Sequence, residues 1–171
     1  ESAAGQYPIE AVSTMHNVAV SVENDPTYRL EIDASRIGGH SSVADAIVAA
    51  AREIAETTEI KVICCFTHSG TTAQFVARER PRVPIIALTP LTDTARRLSL
   101  FWGVHCAITG KLERFKMAVV SAATAAIADG FACNEDQIVV TAGVPFNVTG
   151  TTNILRVAPC DERLIFNTDP E

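Results

Sequence analysis

The sequence lacks the features that mark several protein classes. It contains no apolar run long enough to span a membrane. The 14 Lys and Arg residues are outnumbered by 20 Asp and Glu, and a formal net charge of -6 argues against a nucleic-acid binder with a basic surface. The five cysteines include no CxxC pair, so neither a disulfide framework nor a zinc site is indicated. The chain starts with neither an initiator methionine nor a signal-like segment, and we expect a piece of a longer protein.

What the chain does have is the composition of a globular domain. Hydrophobic residues make up 47% of the 171 residues and charged residues 20%, which is enough apolar material for one core. Cys64 and Cys65 lie inside the apolar run IKVICCF, so we expect them to pack as small core side chains. Unpaired cysteines are typical of a reducing compartment, and we expect the protein to be cytoplasmic.

The apolar pattern predicts strands that alternate with helices. Helices are predicted over residues 8–22, 42–56, 69–80, 91–101 and 112–129, and strands over 60–67, 83–90, 103–109, 136–145 and 151–159. Residues 27–39 are poorly patterned, and a polar tail ends the chain. Because the strands are nearly continuous apolar runs, they are typical of a mostly parallel sheet that helices cover on both faces. We therefore predict a three-layer α/β/α sandwich of about five strands, in which the short last loop allows one antiparallel edge strand.

The stretch FTHSGTTAQF is the best candidate binding site. A strand gives way to a helix there, and a helix start offers unpaired N–H groups and partial positive charge to a phosphate. The candidate phosphate-binding residues of this turn are Thr67, His68, Ser69, Gly70, Thr71 and Thr72. The alternative is that Ser69 only caps the helix. The turn is not a Walker A loop, because it lacks the Gly-Lys-Ser/Thr ending.

The remaining polar residues form no catalytic set, and no metal ligand is identified. His105 lies inside an apolar strand, so we expect it in the core rather than as a base. His68, beside the turn, is either a phosphate contact or simply exposed. Five arginines are expected to be solvated or to form salt bridges: Arg78, Arg80, Arg82, Arg96 and Arg97.

Three stretches together resemble pyruvate kinase. ESAAGQYPIEAVSTM resembles the last helix of its catalytic barrel. CCFTHSGTTAQFVARERPRVPIIALTP is similar to the centre of its C-terminal domain, and GVPFNVTGTTNILRV to the closing glycine-rich loop and final strand. The resemblance runs in order from Glu1 to about Pro159, and that order makes it specific.

The resemblance implies a division of the chain and a role for it. Residues 1–23 would be the last barrel helix, 24–160 the C-terminal α/β domain and 161–171 a tail. The full enzyme transfers a phosphoryl group from phosphoenolpyruvate to ADP with Mg²⁺ and K⁺, on barrel residues that this chain lacks. The chain would then be a regulatory and oligomerisation domain, inactive alone and without a cofactor of its own. Its partners would be the barrel and the other subunits of a homotetramer, with no membrane or nucleic acid.

The resemblance also implies an effector site at the turn. In members that fructose 1,6-bisphosphate controls, the turn matching Thr67 to Thr72 holds one phosphate. Here His68 and Thr71 stand where cations are common, and the closing loop PFNVTGTTN has no arginine for a second phosphate. Fructose 1,6-bisphosphate is therefore not expected, and a sugar monophosphate, AMP or no effector stay open. Two alternatives are a free-standing phospho-ligand-binding domain and, disfavoured by the missing P-loop, a small phosphotransferase.

Overall fold

The computed structural model describes residues 2–35, 42–112, 114–146, 148 and 151–167. The chain divides into two compact units. We call them the N-terminal unit, Glu1–Gly39, and the sheet unit, His40–Glu171. Within the described ranges, no helix is both long and apolar enough to cross a membrane.

The N-terminal unit contains two helices. Helix α1 spans Pro8–Glu23, as predicted, with proline in its first turn. Helix α2 spans Pro26–Ser35, where the sequence pattern predicted no element. The Asp25 carboxylate accepts a hydrogen bond from the Thr27 N–H at 2.7 Å, which caps the start of α2. The assignment of residues 1–23 to a barrel helix stays a prediction.

The sheet unit is built on a five-stranded sheet, which confirms the predicted α/β class. Its strands are β1 Ile60–Phe66, β2 Ile85–Thr89, β3 Val104–Ile108, β4 Gln137–Gly143 and β5 Thr152–Pro159. Their order across the sheet is β3-β2-β1-β4-β5. The first four are parallel, and β5 runs antiparallel to β4 as the edge strand. Strand β1 is therefore central, and its carboxyl end lies between those of β2 and β4.

Helices cover both faces of this sheet. They are α3 Val43–Thr57, α4 Thr71–Arg78, α5 Thr92–Leu98, α6 Phe115–Ala128 and α7 Glu162–Asn167. Helices α6 and α7 pack on one face, around Cys64, and α3 and α4 pack on the other, around Cys65. Both cysteines are fully buried, as predicted. Ser42 is the N-cap residue of α3, and its Oγ accepts the Asp45 N–H at 3.1 Å.

Two features of this unit differ from what the sequence pattern predicted. The polar tail contains α7, whose Ile165 is fully buried against the core. His105 is not a core residue, because β3 is the other edge strand of the sheet and leaves the imidazole 45% exposed. Its Nε2 lies 3.0 Å from Asp129 Oδ2, and its ring contacts Phe131.

Candidate functional site

A cavity of about 290 Å³ opens at the carboxyl ends of the parallel strands. In open α/β sheets ligands bind at this edge. The turn between β1 and α4 forms one wall, and the segments that follow β3 and β4 form the others. Five of the six candidate residues line the cavity: Thr67, His68, Ser69, Thr71 and Thr72.

The turn has its shape because of Gly70. This residue has φ +97, a left-handed conformation that side chains disfavour, and it is the N-cap residue of α4. A Cβ on Gly70 would lie 3.3 Å from Leu98 Cδ2. The Gly70 N–H donates to Thr67 Oγ1 at 2.9 Å, which closes the turn.

Ser69 is not the N-cap residue of α4. Helix α4 starts at Thr71, not at Ser69 as predicted, and the N-cap residue Gly70 has no side chain to cap it. Ser69 Oγ lies 3.5 Å from the Thr71 nitrogen, at the limit of a hydrogen bond, and 2.9 Å from Thr71 Oγ1. The first N–H groups of an α-helix have no intrahelical acceptor. The start of α4 therefore presents donors and partial positive charge beside two hydroxyls.

Neighbouring elements hold the turn in place. Thr94 Oγ1 on α5 donates to the His68 carbonyl at 3.0 Å, and Arg97 Nη2 donates to the Ser69 carbonyl at 2.8 Å. On the other side, the buried hydroxyls of Thr72 and Thr152 lie 2.7 Å apart and join α4 to β5. These contacts fix the turn before any ligand arrives, which lowers the cost of binding.

None of the five arginines named in the sequence analysis lines the cavity. The side chains of Arg78 and Arg82 are largely exposed, as expected, and have acidic partners in Asp45 at 2.6 Å and Glu56 at 3.5 Å. The Arg80 guanidinium stacks on the ring of Trp102. In α5, Arg96 lies 3.8 Å from Asp93, whereas Arg97 binds the turn instead of an acid.

Lys111 is the cavity residue that the sequence analysis missed. It follows Thr109 and Gly110 at the carboxyl end of β3, and all three line the cavity. The signal was available, because the end of that strand was predicted from the sequence. The sequence could not show that Lys111 lies near the turn, because that depends on the strand order, which places β3 two strands from β1.

The cysteines offer no reactive thiolate in the core. Burial raises the pKa of Cys65 to about 12 and that of Cys160 to about 11, and it raises the Cys64 pKa well above its ordinary value. Over the described ranges, no three His, Cys, Asp or Glu side chains are grouped closely enough to hold a metal ion.

Known proteins resemble this chain in both sequence and structure. A pyruvate kinase of Methylorubrum extorquens is 42% identical over 158 residues, which are 92% of this chain and 33% of that protein. A pyruvate kinase of Clostridium acetobutylicum is 38% identical over 157 residues, with the same two shares. Among solved structures, Cryptosporidium parvum pyruvate kinase in complex with ADP has a TM-score of 0.75 and 26% identity, over 92% of this chain and 32% of that one.

The chain thus spans about a third of the length of these relatives. The family profile described as "Pyruvate kinase, alpha/beta domain" matches residues 45–158. That range contains β1 to β4 and all but the last residue of β5. Since the match covers well over half of the sequence, the chain belongs to the pyruvate kinase family, of which it contains the α/β domain.

Proposed function

We propose that the chain is the C-terminal regulatory and oligomerisation domain of a pyruvate kinase, and that its cavity binds a phosphorylated effector. The complete enzyme would be a cytoplasmic homotetramer that transfers a phosphoryl group from phosphoenolpyruvate to ADP. Its catalytic barrel, with Mg²⁺ and K⁺, would belong to the rest of the protein.

The observation that carries the proposal is the turn from Thr67 to Thr72 at the cavity wall. Phosphate oxygens accept hydrogen bonds, and the start of α4 supplies N–H donors together with the Ser69 and Thr71 hydroxyls. The half-buried Ser69 and Thr71 stay accessible to a ligand, whereas Thr72 is buried and bonded to Thr152. We therefore assign the phosphate contacts to Ser69, Thr71 and the backbone, and a positioning role to Thr72.

Lys111 would supply the positive charge that the turn lacks. Two strand spacings separate β1 from β3, so the Lys111 backbone lies about 10 Å along the sheet edge from the turn. The exposed lysine has a flexible stem and can turn its ammonium group toward the cavity that it lines. A charge-assisted hydrogen bond to phosphate is about twice as strong as a neutral one. His68, exposed at the same rim, is a second side chain that could donate a hydrogen bond to the phosphate.

The experiment is a calorimetric titration of the chain with fructose 1,6-bisphosphate, glucose 6-phosphate, ribose 5-phosphate and AMP. At least one should bind, and Ser69→Asp should weaken that binding by about tenfold or more, because a carboxylate would face the phosphate at hydrogen-bond distance. Thr124→Asp, on the exposed face of α6, adds the same charge away from the turn and should leave the affinity unchanged.

Absence of binding across the panel would refute the effector site. Binding that survives Ser69→Asp would refute its placement at the turn. The same samples should form no pyruvate from phosphoenolpyruvate and ADP, because the proposal places catalysis elsewhere in the enzyme. Mg²⁺-dependent turnover by this chain would contradict the regulatory assignment.

A further inference from the structure

Helix α6 is apolar on its outer face as well as on the face that it buries. The inner face packs on the sheet through four fully buried residues: Ala118, Val119, Ala122 and Ala126. The outward side chains are apolar or small and neutral, and their spacing forms one stripe along the helix: Met117, Val120, Ser121, Thr124, Ile127 and Ala128. Lys116 is the only charged residue among the 14 of α6. Helices that are apolar on all sides are normally buried, so the outer face has the composition of a contact surface.

The stripe borders a groove between α6 and α7. The groove has a volume of about 500 Å³, and Val120, Thr124 and Ile127 line it on the α6 side. Met117 and Ile127 are 47% and 38% exposed, and Phe166 on α7 adds a ring that is 42% exposed. Burying these side chains against a partner would remove apolar area from water, which favours association.

The two ends of α6 carry opposite charge. Residues 111–116, at its start, contain three Lys and Arg and one Glu, which give a formal charge of +2. Residues 129–136, after its end, contain three Asp and Glu and no Lys or Arg, which give a formal charge of -3. Cations at the start of a helix and acids at its end oppose the helix dipole, which favours the reverse arrangement. These charges therefore do not stabilise α6 itself, but they match a partner whose charges run in the other direction.

A second copy of this chain, rotated by half a turn, is such a partner. In an antiparallel pair of α6 helices, the basic start of each helix lies against the acidic end of the other, and the two dipoles are opposed as well. The two apolar stripes then face each other. Ser121 and Thr124 lie near the centre of the stripe, where small side chains let two helices approach to the usual distance of about 8–10 Å. A surface that is complementary to itself in this way favours a second copy over a partner of another sequence.

We propose that the outer face of α6 is a two-fold interface through which two copies of this chain associate. The two α6 helices pack antiparallel, so that Arg114 of each copy lies near Asp129 of the other. This interface is independent of the proposed function, because it follows from the surface of α6 alone. A pair of helices of about four turns each buries less than the area of about 1,200 Å² that stable complexes bury. We therefore expect a reversible dimer, with a Kd on the order of 10–100 µM.

The test is sedimentation equilibrium of the whole chain at concentrations from about 1 µM to about 1 mM. Thr124 lies near the two-fold axis, so a charge placed there meets the same charge of the other copy. Thr124→Asp and Thr124→Lys should each weaken association by about tenfold or more, and an equimolar mixture of the two variants should associate again, because the charges then attract. Gln74→Asp and Gln74→Lys place the same charges on the exposed side of α4, on the opposite face of the sheet, and should leave association unchanged.

A charge exchange tests the antiparallel orientation. Arg114→Glu and Asp129→Lys should each weaken association by about threefold or more, since each substitution acts twice in a two-fold dimer. The variant that carries both changes should associate as the parent does, because the exchange restores the attraction between the two ends. Both changes also suit the dipole of α6, and unchanged melting temperatures would show that the loss of association does not come from unfolding.

Three results would overturn the proposal. A chain that stays monomeric over the whole concentration range has no interface at α6. Association that survives both Thr124 variants lies on another surface, such as the exposed apolar side chains of α1. A charge-exchange variant that associates no better than either single variant rules out the antiparallel arrangement.

Discussion

Gly70 provides a sharp test of how the turn is built. Replacing it with alanine puts a side chain at φ +97, and a left-handed conformation costs such a residue about 1–2 kcal/mol. The new Cβ would lie 3.3 Å from Leu98 Cδ2, so the tightly buried leucine must shift. Alanine is also a poorer N-cap than glycine. Part of this destabilisation is offset, because alanine lowers the conformational entropy of the unfolded chain. The net destabilisation should be about 2 kcal/mol, or a decrease in Tm of about 4–8 °C.

The assay can follow the sheet unit alone, because the single tryptophan, Trp102, lies in that unit. Thermal and urea unfolding monitored by its fluorescence give Tm and the free energy of unfolding. Gly130 is the matched control, with φ +77 and nothing within 4 Å of an added Cβ, so Gly130→Ala should show the strain without the contact, about 1 kcal/mol. Gly110→Ala introduces neither backbone strain nor a close contact, so it should change the free energy of unfolding by less than about 0.5 kcal/mol.

The outcome that refutes the reasoning is a Gly70→Ala variant as stable as the parent. A loss equal to that of Gly130→Ala would show that Leu98 yields freely and that backbone strain is the whole effect. A decrease in Tm together with unchanged effector affinity would contradict a role for the turn geometry in binding.

Two further predictions concern the stability of the sheet unit. Thr72→Val leaves the Thr152 hydroxyl buried without its partner at 2.7 Å, and urea unfolding should show a destabilisation of about 1–2 kcal/mol. The double variant with Thr152→Val should be destabilised by less than the sum of the two single variants. Because burial raises the pKa of Cys65 from 9.0 to about 12, the stability it contributes is complete below pH 9 and declines as the pH rises toward 12. Cys65→Ala should flatten that alkaline decline, whereas substitution of the exposed Cys133 should leave it unchanged.

The elements of the sheet could be predicted because their signals are local. IKVICCF and VPIIALTP are short apolar runs, which are typical of strands buried on both faces, and β1 and β2 are those strands. The antiparallel pairing of β4 with β5 followed from a loop too short for a crossover. The pattern did not predict α2, whose apolar residues are few, or α7, whose Ile165 is buried only because the tail folds back on the core.

The errors at single residues have a different cause. His105 alternates with apolar neighbours in the sequence, and only the position of β3 at the sheet edge exposes it. The sequence pattern placed the start of α4 at Ser69, but the left-handed turn at Gly70 moves the start of the helix by two residues. The exposure of His105 and the start of α4 both depend on tertiary structure, which the preferences of single residue types do not predict.

The cavity shows why the turn of the proposed effector site could be identified in the sequence and the other cavity residues could not. The turn is one continuous stretch, so its chemistry can be interpreted without a fold. Lys111 and Phe146 lie 35 residues apart in the chain and reach the same cavity because β1 sits between β2 and β4. The proposed ligand, at the carboxyl end of β1, would lie between Lys111 and Phe146. If it does, Ser69→Asp should weaken the binding of every phosphorylated ligand, because all of them carry the phosphate that the turn is proposed to hold.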